Sequence, residues 1–387
     1  MLPGFIDAHA HLAMLGELLL SLDLSKARTF DEIVARVAAQ APRDEWVVGR
    51  GWDLPEFPSH ERLRQDVPVW LWRKDAHSGL ANAKALALAG IREGTPDPPG
   101  GRIDARTGML YETATELVER VAPPLDARTC VRRAEEEALR LGVTCVHDAC
   151  VTDAGTLDGL RLRVHPMLWR PDQRPIPGAR AMKLFMDGSL GSGTAWMLDG
   201  RGVARLAAAD VRACVESGAQ VCVHAIGTRA VREALEGLAG AEGRHRIEHA
   251  QHIDLDDIPR FRGVIASMQP SHGIADERMM RERLSERERR GSYAFRALLE
   301  AGARLAFGSD APVETIDPRW TYECARRQGL TDDETLRAMT TDAAYAAFME
   351  RDVGMIRPGM RADFAVCAGE WPSEVVMTIV DGQVVAG

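Results

Sequence analysis

The chain has 387 residues, of which 27% are charged and 45% hydrophobic, and its formal net charge is −9 at pH 7. These proportions are typical of a globular protein, and the negative charge argues against nucleic acid and an anionic membrane surface as partners. Seven scattered cysteines without a C-x-x-C pair argue against a disulfide framework and favour a cytoplasmic location. The apolar run at 12–22 contains Glu17 and is too short for a membrane span.

Short apolar runs recur along the chain, and helix-like segments separate most of them. Segments such as 208–218 and 228–240 end at a glycine, as helices commonly do. Eight strands that alternate with helices predict an α/β fold, a (β/α)8 TIM barrel. The eight runs are 4–12, 142–149, 161–168, 180–188, 220–227, 245–251, 263–270 and 304–313.

The interval between the first two runs is far longer than one β–α connection needs. It contains a predicted helix at 29–41 with Thr29 as N-cap, a predicted strand at 67–77 and a Pro/Gly-rich loop at 93–108. We interpret it as a large insertion after strand 1, at about 13–135, in a barrel that occupies 1–350. Residues 351–387 have strand and turn signals without a helix, which predicts a small, truncated β-sandwich appendage at the C-terminus.

Polar side chains lie at the ends of several predicted strands. His9 and His11 have i, i+2 spacing, so both can face one point in the barrel mouth. A single His-x-His pair is weak support for a metal site, but His224, His249 and Asp310 lie at the ends of other runs. Imidazole and carboxylate are typical ligands of zinc, and iron, manganese or cobalt accept the same set. The sequence therefore predicts a divalent metal site.

Lys183 is unusual because only four of the 48 basic residues are lysine. By itself it is typical of a snorkelling or salt-bridged lysine at a strand end. Beside divalent cations, however, the neutral amine is favoured, and it can react with carbon dioxide to form a carbamate whose two oxygens can bridge two metals. Arginine cannot do this. Both interpretations are open at this point.

Several motifs together resemble a known family. They are PGFIDAHAHL, GVTCVHDA, KLFMDGSLGSGTA, VHAIGTRAV, HRIEHAQ, SMQPSH, GSDAPV and PGMRADFAV, with GRGWD and VWLWRKDAHSGLANAKAL in the insertion. The sequence resembles the amidohydrolase superfamily, in the branch of YtcJ-like and N-substituted formamide deformylase-like metal-dependent hydrolases. The resemblance implies two divalent ions, zinc by default, bridged by carboxylated Lys183. The ligands it implies are His9, His11, Lys183, His224, His249 and Asp310.

The sequence departs from this family in two places. Thr228 stands where an acidic residue is usual after VHAIG. The chain also opens directly on strand 1, whereas family members have earlier strands that form a β-sandwich with the C-terminal strands. Either the sequence is shortened or the appendage is reduced. We expect a minimal sandwich or a strand edge covered by a partner, such as a second copy in a homodimer.

The predicted activity is metal-assisted hydrolysis of a C–N amide-type bond in a small molecule, with Asp310 moving the proton. Trp52, Asp53 and His77 in the insertion, and His272 beyond strand 7, are candidate substrate-binding residues, although packing explains the first three equally well. A mononuclear deaminase would not need Lys183, and a lactonase would use the whole metal set. A catalytically silent metal-binding relative is the alternative outside enzymes.

Overall fold

The computed structural model describes residues 1–55, 58–74 and 78–387. They form two compact units, one of Met1–Leu12 with Glu135–Gly387 and the other of Ala13–Ala134. Among these residues every helix is too short or too polar to cross a membrane. The strands are β1 (Leu2–Pro3), β2 (Phe5–Ala10), β3 (Leu22–Asp23), β4 (Val47–Trp52), β5 (Val69–Arg73), β6 (Ser78–Ala81), β7 (Gly101–Asp104), β8 (Met109–Glu112), β9 (Val143–Val151), β10 (Arg163–Leu168), β11 (Ala181–Phe185), β12 (Gln220–Ala225), β13 (Arg246–His249), β14 (Ile265–Met268), β15 (Arg304–Phe307), β16 (Phe364–Cys367), β17 (Val375–Val380) and β18 (Gln383–Ala386). The α-helices are α1 (Leu12–Leu20), α2 (Phe30–Ala39), α3 (Ala83–Leu88), α4 (Glu116–Glu119), α5 (Ala127–Arg140), α6 (Ala208–Glu216), α7 (Thr228–Leu238), α8 (Pro270–Ala275), α9 (Glu277–Arg283), α10 (Glu286–Arg290), α11 (Phe295–Glu300), α12 (Pro318–Arg327), α13 (Asp332–Ala338) and α14 (Thr341–Ala346).

The first unit contains an eight-stranded parallel sheet in the order β2, β9, β10, β11, β12, β13, β14, β15. Most residues of these strands are buried because helices and the barrel interior cover the two faces of the sheet. Just beyond β15, Asp310 N donates to His9 O at 2.7 Å and His11 N donates to Ala311 O at 2.8 Å, which joins the two outer strands. The sheet is thus a nearly closed barrel. Seven of its strands lie within the predicted runs, and β9 begins in the run at 142–149 and continues to Val151.

Small side chains let helix α14 pack closely on the barrel. Ala343 and Ala344 are fully buried in one cluster with Ile6 and Ala8 of β2. Alanine keeps the helix backbone near the strands without a void between them. This contact fixes the strand that carries the first predicted metal ligands.

The C-terminal strands form a four-stranded antiparallel sheet in the order β1, β16, β17, β18. The prediction that the chain opens directly on a barrel strand was therefore wrong, because Leu2 pairs with Ala365 before β2 begins. Arg163 of β10 ties this sheet to the barrel, since its Nε lies 2.6 Å from an oxygen of buried Asp363. In the described part of the chain there is one sheet here, not the two facing sheets of a sandwich.

The second unit contains a six-stranded sheet in the order β3, β4, β5, β6, β8, β7. Thr29 caps α2 as predicted, and its hydroxyl accepts the Glu32 N–H at 3.3 Å. Within the strand predicted at 67–77, residues 69–73 form β5, and 75–77 lie outside the described residues. The interval 93–108 was wrongly predicted to be loop throughout, because 101–104 form β7 in antiparallel pairing with β8. Cross-strand pairing overrides the turn-rich composition there.

Candidate metal centre

The first ligand group lies where β2 meets the segment after β15. His11 Nε2 is 3.0 Å and His9 Nε2 is 3.5 Å from the same oxygen of Asp310, Oδ1. One possible donor atom from each of the three residues lies within 4.8 Å of the other two. Gly308 makes the approach possible, because a Cβ at that position would lie 2.3 Å from His9 N. Three donors that converge on one point can hold a divalent cation.

A second ligand group lies beside the first and shares Asp310 with it. The His249 ring centroid is 4.8 Å from that of His9 and 4.6 Å from that of His224. His272 Nε2 is 3.8 Å from the other oxygen of the aspartate, Oδ2, and His249, His272 and Asp310 also form a cluster within 4.8 Å. The two oxygens of Asp310 therefore face two different histidine groups.

Lys183 lies between these groups, in the middle of β11 instead of at a strand end. Its side chain is buried, with Nζ 3.3 Å from His9 Nε2 and 4.9 Å from the ring centroid of Phe185. No carboxylate of the described residues lies within 4.0 Å of Nζ. A snorkelling lysine needs an exposed ammonium group, and Lys183 is only 1% exposed.

A buried charged chain orients His9. Glu248 Oε2 lies 2.5 Å from His9 Nδ1, and Arg246 forms a fully buried ion pair with Glu248 at 2.7 Å. The carboxylate fixes the proton on Nδ1 and leaves the Nε2 lone pair free for a cation. Sequence reasoning missed both residues. The available signal was the i, i+2 spacing of two opposite charges within a predicted strand, which places both on the same strand face.

Polar groups also orient the other two ring ligands. His249 Nδ1 donates to Gln269 Oε1 at 2.9 Å, so its Nε2 is the free donor atom. His224 Nε2 donates to Gly188 O at 3.0 Å, which leaves Nδ1 as its free atom. Asp187, a further residue that sequence reasoning missed, lies 3.5 Å from this Nε2 and accepts three backbone N–H groups.

Most of the candidate ligands have pKa values that favour the ionisation state that binds a cation. Burial lowers the pKa of His9 to about 4 and those of His224 and His249 well below the usual value. Burial alone would raise the pKa of Asp310, but the neighbouring histidines hold that pKa well below its usual range. Burial also acts to raise the pKa of Glu248, and the Arg246 guanidinium holds it well below its usual range. Neutral imidazoles and an anionic carboxylate are the forms that bind a metal ion.

His11 is the exception. Burial acts to lower its pKa, but hydrogen bonds with Asp310 and the Cys150 thiol raise it to about 10. A cation that binds His11 must therefore displace a proton. Cys150, which sequence analysis treated only as one of seven scattered cysteines, adopts a left-handed φ of 63° at an irregularity in the β9–β10 pairing.

Three of the predicted substrate-binding residues lie in the sequence range of the second unit, and one of these three lies outside the described residues. Trp52 is fully buried and its indole N–H donates to Leu71 O at 3.0 Å. The Asp53 side chain is 54% exposed and lies 2.6 Å from an Arg73 nitrogen. His77 lies outside the described residues. A substrate-binding role for these three stays a prediction.

Thr228 is buried at the start of α7. Its hydroxyl accepts the Leu198 N–H at 3.0 Å, so the residue anchors the segment between β11 and α6.

Comparisons with known proteins agree with this geometry. The chain is 31% identical over 450 residues to Protein LONG AFTER FAR-RED 3 of Arabidopsis thaliana, covering 95% of this chain and 77% of that protein. It is 26% identical over 475 residues to N-substituted formamide deformylase of Arthrobacter pascens, covering 99% and 87%. The crystal structure of an uncharacterized metal-dependent hydrolase from Pyrococcus horikoshii OT3 matches with a TM-score of 0.77 and 28% identity, covering 93% of this chain and 84% of that one. The amidohydrolase family matches residues 1–386, and the chain therefore belongs to the amidohydrolase family of metal-dependent hydrolases.

Proposed function

We propose that the protein hydrolyses a C–N amide-type bond, in an amide, formamide, urea or cyclic amide, at a centre of two divalent metal ions. The observation that carries this proposal is the convergence of His9 and His11 on Asp310 Oδ1, with His249 and Lys183 alongside. Similarity over 99% of the chain to a protein named as a formamide deformylase favours carbon–nitrogen bonds.

The donor set fits divalent cations. His9, with its Nδ1 held by Glu248, presents the lone pair of Nε2. Together with His11 and Asp310 it would hold the more buried ion, while His224 and His249 would hold the second. Zinc is the default ion for imidazole and carboxylate ligands, although iron, manganese or cobalt accept the same donors.

Lys183 completes this set as a carbamate. The lone pair of the neutral amine attacks the carbon of carbon dioxide, one C=O electron pair moves onto oxygen, and the nitrogen releases a proton to water. The product is a monoanion with two oxygens, which would offset part of the charge of two divalent cations. Support comes from the burial of Lys183 and from the lack of a carboxylate partner within 4.0 Å among the described residues.

When bound, the metal ions supply Lewis acidity, which acidifies water and polarises a substrate carbonyl. Asp310 has a pKa well below its usual range, so it is anionic and able to accept a proton from the attacking water. The same carboxyl group then delivers that proton to the leaving nitrogen. Its Oδ2 faces the His249 and His272 side, away from the oxygen that contacts His9 and His11.

Metal content per chain tests the binuclear centre. Protein purified with bicarbonate and the expected metal should hold about two ions, falling to one or none in Lys183→Ala. Lys84→Ala, which removes a half-exposed lysine, is the matched control and should keep the wild-type content. One ion or none in wild type and in Lys183→Ala alike would refute the bridging carbamate and favour the mononuclear deaminase or the catalytically silent relative.

Turnover tests the bond class. The loaded enzyme should hydrolyse members of a panel of formamides, ureas and hydantoins, and Asp310→Asn should abolish this activity while a chelator suppresses it reversibly. Hydrolysis of lactones alone would contradict the C–N assignment. Full metal content without turnover on any amide, ester or lactone would identify a catalytically silent relative.

A further inference from the structure

His272 is a buried histidine whose outer ring nitrogen faces the centre without a partner. It lies in the first turn of α8 and is 7% exposed. Its Nε2 is 3.8 Å from Asp310 Oδ2, too far for a hydrogen bond, and has no other hydrogen-bond partner among the described residues. Buried polar groups in proteins are nearly always paired, so an unpaired one aimed into a site points to a ligand.

Two glutamines fix opposite tautomers in the neighbouring rings of His249 and His272. The Gln269 carbonyl accepts from His249 Nδ1, which leaves His249 Nε2 as a lone-pair donor to a cation. For His272 the contact is reversed, because the Gln251 amide nitrogen lies 3.2 Å from Nδ1 and donates to it. The proton of the neutral His272 ring therefore resides on Nε2.

The two rings are parallel, with an interplanar angle of 6° and centroids 6.3 Å apart. His249, His272 and Asp310 are close enough to suggest three ligands of one cation. The tautomer argues otherwise, since an Nε2 that carries a proton has no lone pair to offer a metal. Burial of both His272 and Gln251 keeps water from competing for these contacts.

We propose that His272 is a hydrogen-bond donor, with Nε2–H directed at the substrate oxygen that gains negative charge during hydrolysis, and that Gln251 is the positioning residue that fixes its tautomer. The role in turnover rests on the proposed function, whereas the tautomer and the donor role toward an anion do not require hydrolysis. Donors fixed in place before the reaction, in a water-poor site, stabilise a developing oxyanion strongly.

The tautomer is measured in long-range 1H–15N spectra of protein with 15N-labelled histidine, with the His272 signals identified by their loss in His272→Gln. The expected result is a protonated Nε2 and an unprotonated Nδ1 in wild type, with the two forms mixed in Gln251→Leu. A proton on Nδ1 in wild type would overturn the inference, whether or not the protein binds metal or hydrolyses amides.

The donor role is measured with inorganic phosphate, a tetrahedral anion, titrated against the visible absorption of Co2+-loaded protein. His272→Ala should weaken phosphate binding by about 10-fold or more, as expected for a hydrogen bond to a charged group, at unchanged cobalt content. His272→Gln, whose amide N–H can reach the same place, should recover part of the loss.

His252→Ala is the matched control, because His252 is also buried, with Nδ1 2.8 Å from Ser292 Oγ and an unpaired Nε2. Its phosphate affinity should equal that of wild type. A fall in cobalt content in His272→Ala would identify a metal ligand, and an unchanged phosphate affinity would show no contact; either result overturns the inference. Wild-type protein that binds no cobalt would instead refute the proposed function, and the ring-nitrogen spectra would still decide the tautomer.

Discussion

Replacement of Glu248 by glutamine should weaken metal binding without removing any metal ligand. In the native protein the Glu248 carboxylate lies 2.5 Å from His9 Nδ1 and is itself paired with Arg246. Glutamine keeps the shape and can still accept one hydrogen bond, but it loses the charge that makes the His9 ring more basic. The ring then binds a cation less tightly through Nε2.

The expected magnitude follows from the position of Glu248 behind the ligand. Loss of such a partner costs about 10- to 100-fold in metal affinity, which corresponds to about 1.4–2.7 kcal/mol. Stability should fall as well, by about 3–5 kcal/mol, because Arg246 is fully buried and would lose its anionic partner. The hydrogen bonds from Arg246 to Ala8 O and Ser267 Oγ remain in the variant and reduce this loss of stability.

Chelator competition for Zn2+ gives the dissociation constant, and thermal unfolding of chelator-treated protein gives the stability separately. Glu135→Gln is the control, since Glu135 is a buried carboxylate that accepts backbone N–H groups of Arg161 and Leu162 instead of contacting a histidine. It should lose stability but keep its zinc affinity. A folded Glu248→Gln protein with the wild-type dissociation constant would refute the argument that this carboxylate sets the affinity through His9.

Two further predictions concern stability. Gly227→Ala should destabilise the protein by about 1–3 kcal/mol because the new Cβ would lie 2.2 Å from Trp196 O. Chemical denaturation measures this loss. An unchanged denaturation midpoint would mean that the backbone at Trp196 moves aside freely and would contradict the prediction. Arg163→Met should lower the free energy of unfolding by on the order of 3 kcal/mol, because buried Asp363 would lose its cationic partner. The double variant Arg163→Met/Asp363→Asn should recover much of this loss, since it removes the unpaired charge. No recovery in the double variant would contradict the explanation.

The barrel strands could be predicted because apolar runs reflect burial on both faces. The run at 220–227, for example, contains β12, whose six residues are all buried. The loop assignment of 93–108 failed because β7 depends on pairing with β8, which local composition does not encode. The pairing of Leu2 with Ala365 is likewise a contact between distant parts of the chain that no local pattern reveals.

The candidate ligands could be proposed from their positions near strand ends, but their surroundings could not. Whether His249 and His272 offer a lone pair or a proton depends on Gln269 and Gln251, two identical residue types that contact the rings through different atoms. Similarly, Glu248 reaches His9 across the barrel, 239 positions away in sequence. Such contacts follow from the closure of the barrel and not from spacing along the chain.

The distribution of lysines has a practical consequence for chemical labelling. Lys26 and Lys84 are exposed in the second unit, Lys74 belongs to the same unit, and Lys183 is buried in the barrel. Amine-directed reagents applied to the folded protein will therefore attach to the second unit or to the α-amino group. A fluorophore or a surface linkage can be introduced through amines while the one lysine at the centre stays unmodified.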